Sequence, residues 1–251
     1  MFLFRRKNIR TPDLSWLNLD LHNHILPGID DGSPNLETSL QLVRGMLELG
    51  VKHFIATPHI LWEVYPNTPV SINDARKELA ATLKSEGVDC TLRAAAEYFI
   101  DDHLVELLHQ KDSLLCLPHK MVLAEFSMVT APFELQQLFY DMQLQGYQPL
   151  LAHPERYIYL GRSRQVFDTL HDAGVYFQLN LMSLVGHYGR TVQELANYLL
   201  DKGYYQFAGT DLHSPRQLEV LQKLAASELI DKLRDYPFRN KDLPVQVGQL
   251  D

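Results

Sequence analysis

Cysteine is scarce. Cys90 and Cys116 are the only two in 251 residues, and they form no CxxC pair. That excludes a disulfide framework and a thiolate zinc site and fits a reducing compartment. No C-x5-R loop occurs, which excludes a cysteine-based phosphatase. No apolar run approaches about 18 residues, so no membrane span is expected. Gly/Ser linkers, low-complexity stretches and internal repeats are absent. Clustered positive charge is missing too: the formal net charge is −8. A broad nucleic-acid-binding face is therefore not expected. The start of the chain, Met1 to Lys7, is apolar and then basic. A secretory signal has the reverse order. The patch reads as a frayed terminus, with marginal membrane or partner docking as the sharper alternative.

What is present is an alternation of short β-rich runs and amphipathic helices. Strands are predicted at about 18–22, 52–57, 91–96, 121–125, 148–152, 175–180 and 204–209. Helices are predicted over about 33–50, 71–87, 101–110, 132–146, 162–174, 190–203 and 214–235. The first is given Ser33 as N-cap and Pro34 as its first residue. Repeated β-α units imply parallel strands with right-handed crossovers, in a closed barrel or an open doubly wound sheet.

Polar residues gather at one end of these strands. Asp20-Leu21-His22-Asn23-His24 closes the first run, and Asp30-Asp31-Gly32 follows it. Later runs lead into His59, Glu97, Glu125, His153 and Asp211-Leu212-His213. Six of the seven predicted strands thus deliver a His, Asp or Glu at the C-terminal end, where barrel enzymes build their sites. Any one of these alone reads as a hydrogen-bonded strand-end residue. Together, four carboxylates and five imidazoles would repel one another without cations. Oxygen and nitrogen donors without thiolate suit manganese, iron or zinc. Three divalent ions would leave the site net positive and suited to a phosphate dianion. Divalent ions acidify water for attack on phosphorus. Arg156 can grip a phosphate oxygen, with a surface salt bridge as its plainer role. Tyr98, Phe99, Tyr157 and Tyr188 lie near the expected rim. His53, His103, His109, His119, His171 and His187 read as structural or exposed.

The stretches DLHNHILPGIDDGS, ATPHI, AAEYF, LAEFS, LAHPERY and GTDLHS, in this order, resemble the PHP (polymerase and histidinol phosphatase) superfamily. The resemblance spans about residues 18–215 and is nearest to the bacterial capsule or exopolysaccharide-type manganese-dependent protein-tyrosine phosphatases. It implies a distorted seven-stranded (β/α) barrel over residues 18–251, after a 1–17 extension, with the metal site at the C-terminal rim. It implies three metals, usually manganese: one held by His22, His24, Glu97 and Asp211, a second by Glu97, Glu125 and His153, a third by Asp31, His59 and His213. It also implies a substrate, the phosphotyrosine tail of a membrane-associated bacterial tyrosine kinase, and a cytoplasmic enzyme, peripheral at the inner membrane through that kinase. Two departures stand out. Here 21 residues precede the H-x-H, and Arg216, the match for the family's arginine after D-x-H, is closely spaced. A small-molecule phosphatase acting on histidinol, nucleotide or sugar phosphates, and a non-catalytic phospho-tail binding module, are the rival expectations.

Overall fold

The computed structural model describes residues 10–111, 113–132 and 134–245; the Met1–Lys7 patch lies outside them. In chain order the elements are β1 (Leu19–Asp20), α1 (Leu36–Glu48), β2 (His53–Ala56), β3 (His59–Ile60), α2 (Pro69–Ser85), β4 (Thr91–Ala94), β5 (Glu97–Phe99), α3 (Asp102–Gln110), β6 (Met121–Glu125), α4 (Leu135–Leu144), β7 (Gln148–Ala152), α5 (Gln165–Asp172), β8 (Tyr176–Asn180), α6 (Arg190–Asp201), β9 (Tyr205–Gly209), α7 (Pro215–Ala225) and α8 (Leu229–Asp235). All named strand pairs are parallel.

The strands form two sheets, ordered β1-β2-β4 and β3-β5-β6-β7-β8-β9. Nine strands replace the seven expected because two runs are interrupted. Pro58, which has no N–H, separates β2 from β3. Ala95 and Ala96 separate β4 from β5, so Glu97 opens a strand rather than ending one. Backbone bonds cross both breaks: Ala95 N–H donates to the Ala56 carbonyl at 2.8 Å, and Glu97 N–H to that of Pro58 at 3.1 Å. Beyond β1 the chain stays extended. Thr57 N–H donates to the Asn23 carbonyl (2.9 Å), Asp211 N–H to that of His22 (2.7 Å) and His24 N–H to that of Leu212 (3.0 Å). The end of β1 is thereby joined to the ends of both β2 and β9.

Helices cover one side of the strands. In α6 the buried residues Val192, Leu195, Ala196, Leu199 and Leu200 recur at helical spacing. A second, smaller core is built from the strands themselves, including Leu19, Leu21, Ile55, Leu123, Leu150 and Phe207. Capping decides where several helices start. Ser214 caps α7 with Pro215 after it, and Thr68 and Ser71 form a reciprocal capping box around Pro69. The predicted start of α1 is corrected. Asn35, not Ser33, is the N-cap and accepts from Thr38 N–H at 2.9 Å. Ser33 instead closes the preceding loop, its N–H donating to the His24 carbonyl (2.9 Å). The predicted 214–235 helix is two helices, broken after Ala225. Residues from 10 onward pack onto this scaffold, with Leu14 and Leu17 fully buried.

Asn240 ties β1 to β9 at the opposite end from the His and carboxylate residues. Its buried amide donates to the carbonyls of Leu19 (2.9 Å) and Ala208 (2.7 Å), and its oxygen accepts from Ala208 N–H (3.0 Å). Asn240→Ala strands three buried backbone groups and is expected to lower stability by about 2–4 kcal/mol in urea unfolding. An unchanged unfolding midpoint would contradict this role.

Candidate metal centre

All nine residues expected from the sequence come together, His59 and Glu97 from the starts of β3 and β5 and the others from strand ends or the loops that follow them. Their donor atoms fall into three overlapping groups: His22, Glu97, His153 and Asp211; His24, Asp31, His59 and His213; and His59, Glu97 and Glu125. Glu97 is fully buried at the centre. Its Oε2 lies 3.2 Å from Nε2 of His22, from Nε2 of His24 and from Nδ1 of His59. Its Oε1 lies 3.2 Å from Nε2 of His153. Asp211 Oδ1 stands 3.4 Å from His22 Nε2 and 3.5 Å from His24 Nε2. Glu125 reaches His59 at 3.1 Å and His153 at 3.7 Å. Asp31, half exposed at the mouth, reaches His59 at 3.3 Å and His213 at 3.6 Å. The expected threefold division is therefore less clean than anticipated. His59 presents Nδ1 to Glu97 and Glu125 but Nε2 to Asp31, and so stands between two groups.

The donor chemistry fits divalent cations. Bonds of about 2.1 Å place neighbouring donors about 3.0–3.4 Å apart around one ion, the spacing seen around Glu97. Neither Glu97 oxygen has a hydrogen-bond donor, and the Nδ1 atoms of His59 and His153 are equally unpartnered. A buried carboxylate in that state is costly unless a cation compensates it. Electrostatics agree. Burial and the neighbouring His59 push the His24 pKa down, yet Asp30 and Glu97 hold it up at about 10. Burial opposes ionisation of Glu97 as well, but His22 and His59 keep its carboxyl well below the usual range. The cluster draws positive charge into its interior.

The imidazoles are aimed by residues that the sequence reading did not single out. Gln178 Oε1 lies 2.7 Å from His22 Nδ1 and accepts from His153 N–H at 3.3 Å. Asp30 Oδ2 lies 2.8 Å from His24 Nδ1, which leaves Nε2 facing Glu97. His213 Nδ1 donates to the Asp211 carbonyl at 2.8 Å. Asn180 Nδ2 donates to Asp211 Oδ2 at 2.8 Å. The one strand that was expected to supply nothing, β8, thus supplies two positioning residues. The available signal was polar Gln178 and Asn180 at alternate positions of an apolar run.

The backbone is shaped around the cluster. His153 (φ 33°), directly after β7, and Asp211 (φ 52°), two residues after β9, both adopt left-handed conformations, each costing about 1–3 kcal/mol. Gly209 is required by close approach: a Cβ there would lie 2.6 Å from that of His22. Gly32 is similar, since a Cβ would lie 2.2 Å from the His24 carbonyl oxygen.

Six of the nine, Asp31, His59, Glu125, His153, Asp211 and His213, line a cavity of about 510 Å³, with Tyr65, Phe99, Phe126, Arg156 and Tyr188 among its walls. Arg156 donates to Asp211 Oδ2 at 2.9 Å, and its guanidinium lies 4.6 Å from the Tyr188 ring centroid. Arg216 is exposed on α7 and does not line the cavity. Of the aromatic residues expected at the rim, Phe99 and Tyr188 line the cavity, whereas Tyr98 and Tyr157 are core residues. Tyr65, stacked on His59 at 5.8 Å, was not anticipated. His103 stacks on Trp62 and His171 on Tyr204, away from the cluster.

Comparison with known proteins finds similar chains. The tyrosine-protein phosphatase YwqE of Bacillus subtilis is 31% identical over 219 residues, covering 84% of this chain and 86% of its own. A solved chain from work on YwqE and on CpsB of Streptococcus pneumoniae, described as metal-dependent tyrosine phosphatases, superposes with a TM-score of 0.75. It shares 30% identity and covers 92% of this chain and 98% of its own. A histidinol phosphate phosphatase from Lactococcus lactis, with zinc, L-histidinol and phosphate, superposes at a TM-score of 0.54. At 14% identity, over 88% of this chain and 94% of its own, it shares the fold alone. The family profile described as capsular polysaccharide synthesis, CpsB/CapC, matches residues 18–232, and this chain belongs to that family.

Proposed function

We propose that the chain is a metal-dependent protein-tyrosine phosphatase acting on the phosphotyrosine tail of a membrane-associated bacterial tyrosine kinase that controls capsule or exopolysaccharide synthesis. The observation that carries this reading is a buried, unpartnered Glu97 among converging imidazoles, beside His59 and His153, which line an aromatic-walled cavity. The expected 18–251 domain, of which residues after 245 lie outside the described ones, is read as one distorted (β/α) barrel of the PHP type, with the site at its C-terminal rim. The bonds from His22 and His24 to residues 211 and 212 support closure. Counting β2 with β3, and β4 with β5, as interrupted single strands leaves seven. Residues 1–17 are read as an extension. No helix of the described residues is long and apolar enough to cross a membrane; a cytoplasmic enzyme, peripheral at the inner membrane through its kinase, is the matching location.

His22, His24, Asp31, His59, Glu97, Glu125, His153, Asp211 and His213 would hold three divalent cations, manganese first, with iron or zinc as alternatives. When bound, such ions supply acidified water and neutralise phosphoryl oxygens. The chain's own groups do the rest. Asp211 keeps Oδ1 toward the imidazoles because Asn180 and Arg156 occupy Oδ2. Arg156 faces the cavity and can offer further N–H groups to a phosphate oxygen. Phe99, Tyr65 and Tyr188 provide flat apolar walls for an aryl ring. Because the cluster lies at the floor, phosphotyrosine reaches it and the shorter phosphoserine falls short.

Three outcomes are expected. Elemental analysis after manganese loading should find more than one divalent ion per chain, with activity lost on chelation; one ion or fewer would contradict the shared site. Arg156→Ala should lower kcat/KM for an aryl phosphate at least about 10-fold, or about 1.4 kcal/mol. Metal content should persist, because Asn180 still holds Asp211; unaltered kinetics would remove Arg156 from the reaction. Matched peptides should be turned over at least about 10-fold more efficiently as phosphotyrosine than as phosphoserine. A preference for histidinol phosphate would move the assignment to the small-molecule branch.

A further inference from the structure

We propose that a second cavity, beside the candidate catalytic one, holds the residues flanking the phosphotyrosine and selects a peptide whose flanks are acidic and apolar. The proposal rests on the phosphatase reading above and deepens it. The second cavity, of about 490 Å³, lies among Met128, Val129, Ile158, Arg162, Arg164 and Glu194. Met128 lines both cavities, so the two lie side by side. A chain leaving the first cavity past Met128 enters the second.

The walls define what fits. Val129 is 84% exposed and Ile158 47% exposed, so both offer apolar surface that the rest of the chain leaves uncovered. Charge narrows the choice. The chain as a whole carries −8, yet this groove is locally positive. Glu194 is neutralised by Arg190 at 2.7 Å. The Arg162 side chain is exposed and forms no ion pair or hydrogen bond among the described residues. Arg164 lies 4.1 Å from the Tyr198 ring centroid, a contact that leaves its positive charge available to a carboxylate. Two such cations beside two exposed aliphatic side chains complement Asp or Glu interspersed with apolar residues. A small phosphate ester would occupy the first cavity alone and leave the second without a role. A flexible peptide uses both.

The test compares p-nitrophenyl phosphate, which has no flanks, with two short phosphotyrosine peptides, one flanked by Glu and Leu and one by Lys and Ser. Kinetics are run on manganese-loaded protein, and binding is followed by fluorescence anisotropy of the labelled peptides. The wild-type protein is expected to prefer the acidic peptide. The double variant Arg162→Glu, Arg164→Glu should raise its KM and Kd at least about 10-fold. Turnover of p-nitrophenyl phosphate should stay within about twofold. Val129→Asp, at an open position, serves as a second variant and should weaken the same peptide selectively. Unchanged peptide binding, a parallel loss on p-nitrophenyl phosphate, or a wild-type preference for the basic peptide would each overturn the proposal. So would a dimer in solution that the charge reversal dissociates, because a second copy would then cover the groove. If wild-type protein hydrolyses neither substrate, the phosphatase reading fails, while the anisotropy comparison still decides the groove.

Discussion

A carboxylate with no hydrogen-bond donor, fully enclosed by protein, is among the least tolerable groups a fold can contain. Glu97 is in that position. What surrounds it is a shell of imidazole nitrogens at 3.2 Å rather than donors already satisfied. The arrangement makes physical sense when positive charge sits between the carboxylate and the rings. Much of the surrounding structure follows from that requirement. The strand ends converge there, two residues after strands adopt left-handed backbone, and Gly209 leaves room for His22.

The cluster is held by a surrounding layer of neutral and charged side chains, each with a definite task. Gln178 and Asp30 fix ring orientation through Nδ1 and leave Nε2 for the interior. Asn180 and Arg156 share one oxygen of Asp211 and leave the other to the imidazoles. Glu155 extends this support. Although buried, it accepts from the Asn180 backbone, the Ser183 hydroxyl and the Tyr205 hydroxyl. The same layer reaches the cavity wall, because Arg156 touches both Asp211 and Tyr188.

The His and carboxylate positions were legible in the amino-acid sequence because strand ends can be located from short apolar runs, and ligand types recur there. The alternation of strands and helices was legible for the same reason. Less visible was the break at Pro58, which turns one expected strand into two and leaves His59 able to face two groups of donors. The supporting residues were hidden more deeply. Gln178 is a polar residue in a largely apolar strand, and its role depends on His22, 156 positions away. Asp30 and Asp31 are neighbours of one type, and only the loop geometry sends the first to His24 and the second to the mouth. Arg216 differs: its place in the motif suggested contact with phosphate, and on α7 it is exposed and is not among the residues that line the cavity.

The account is tested most directly by a manganese-loaded crystal structure with anomalous scattering measured at the metal edge. It predicts separate anomalous peaks within bonding distance of each of the two Glu97 oxygens, with His22 or His24 on one side and His153 on the other. A map in which Glu97 bonds to no cation, and takes its charge balance from protonated histidines alone, would contradict it.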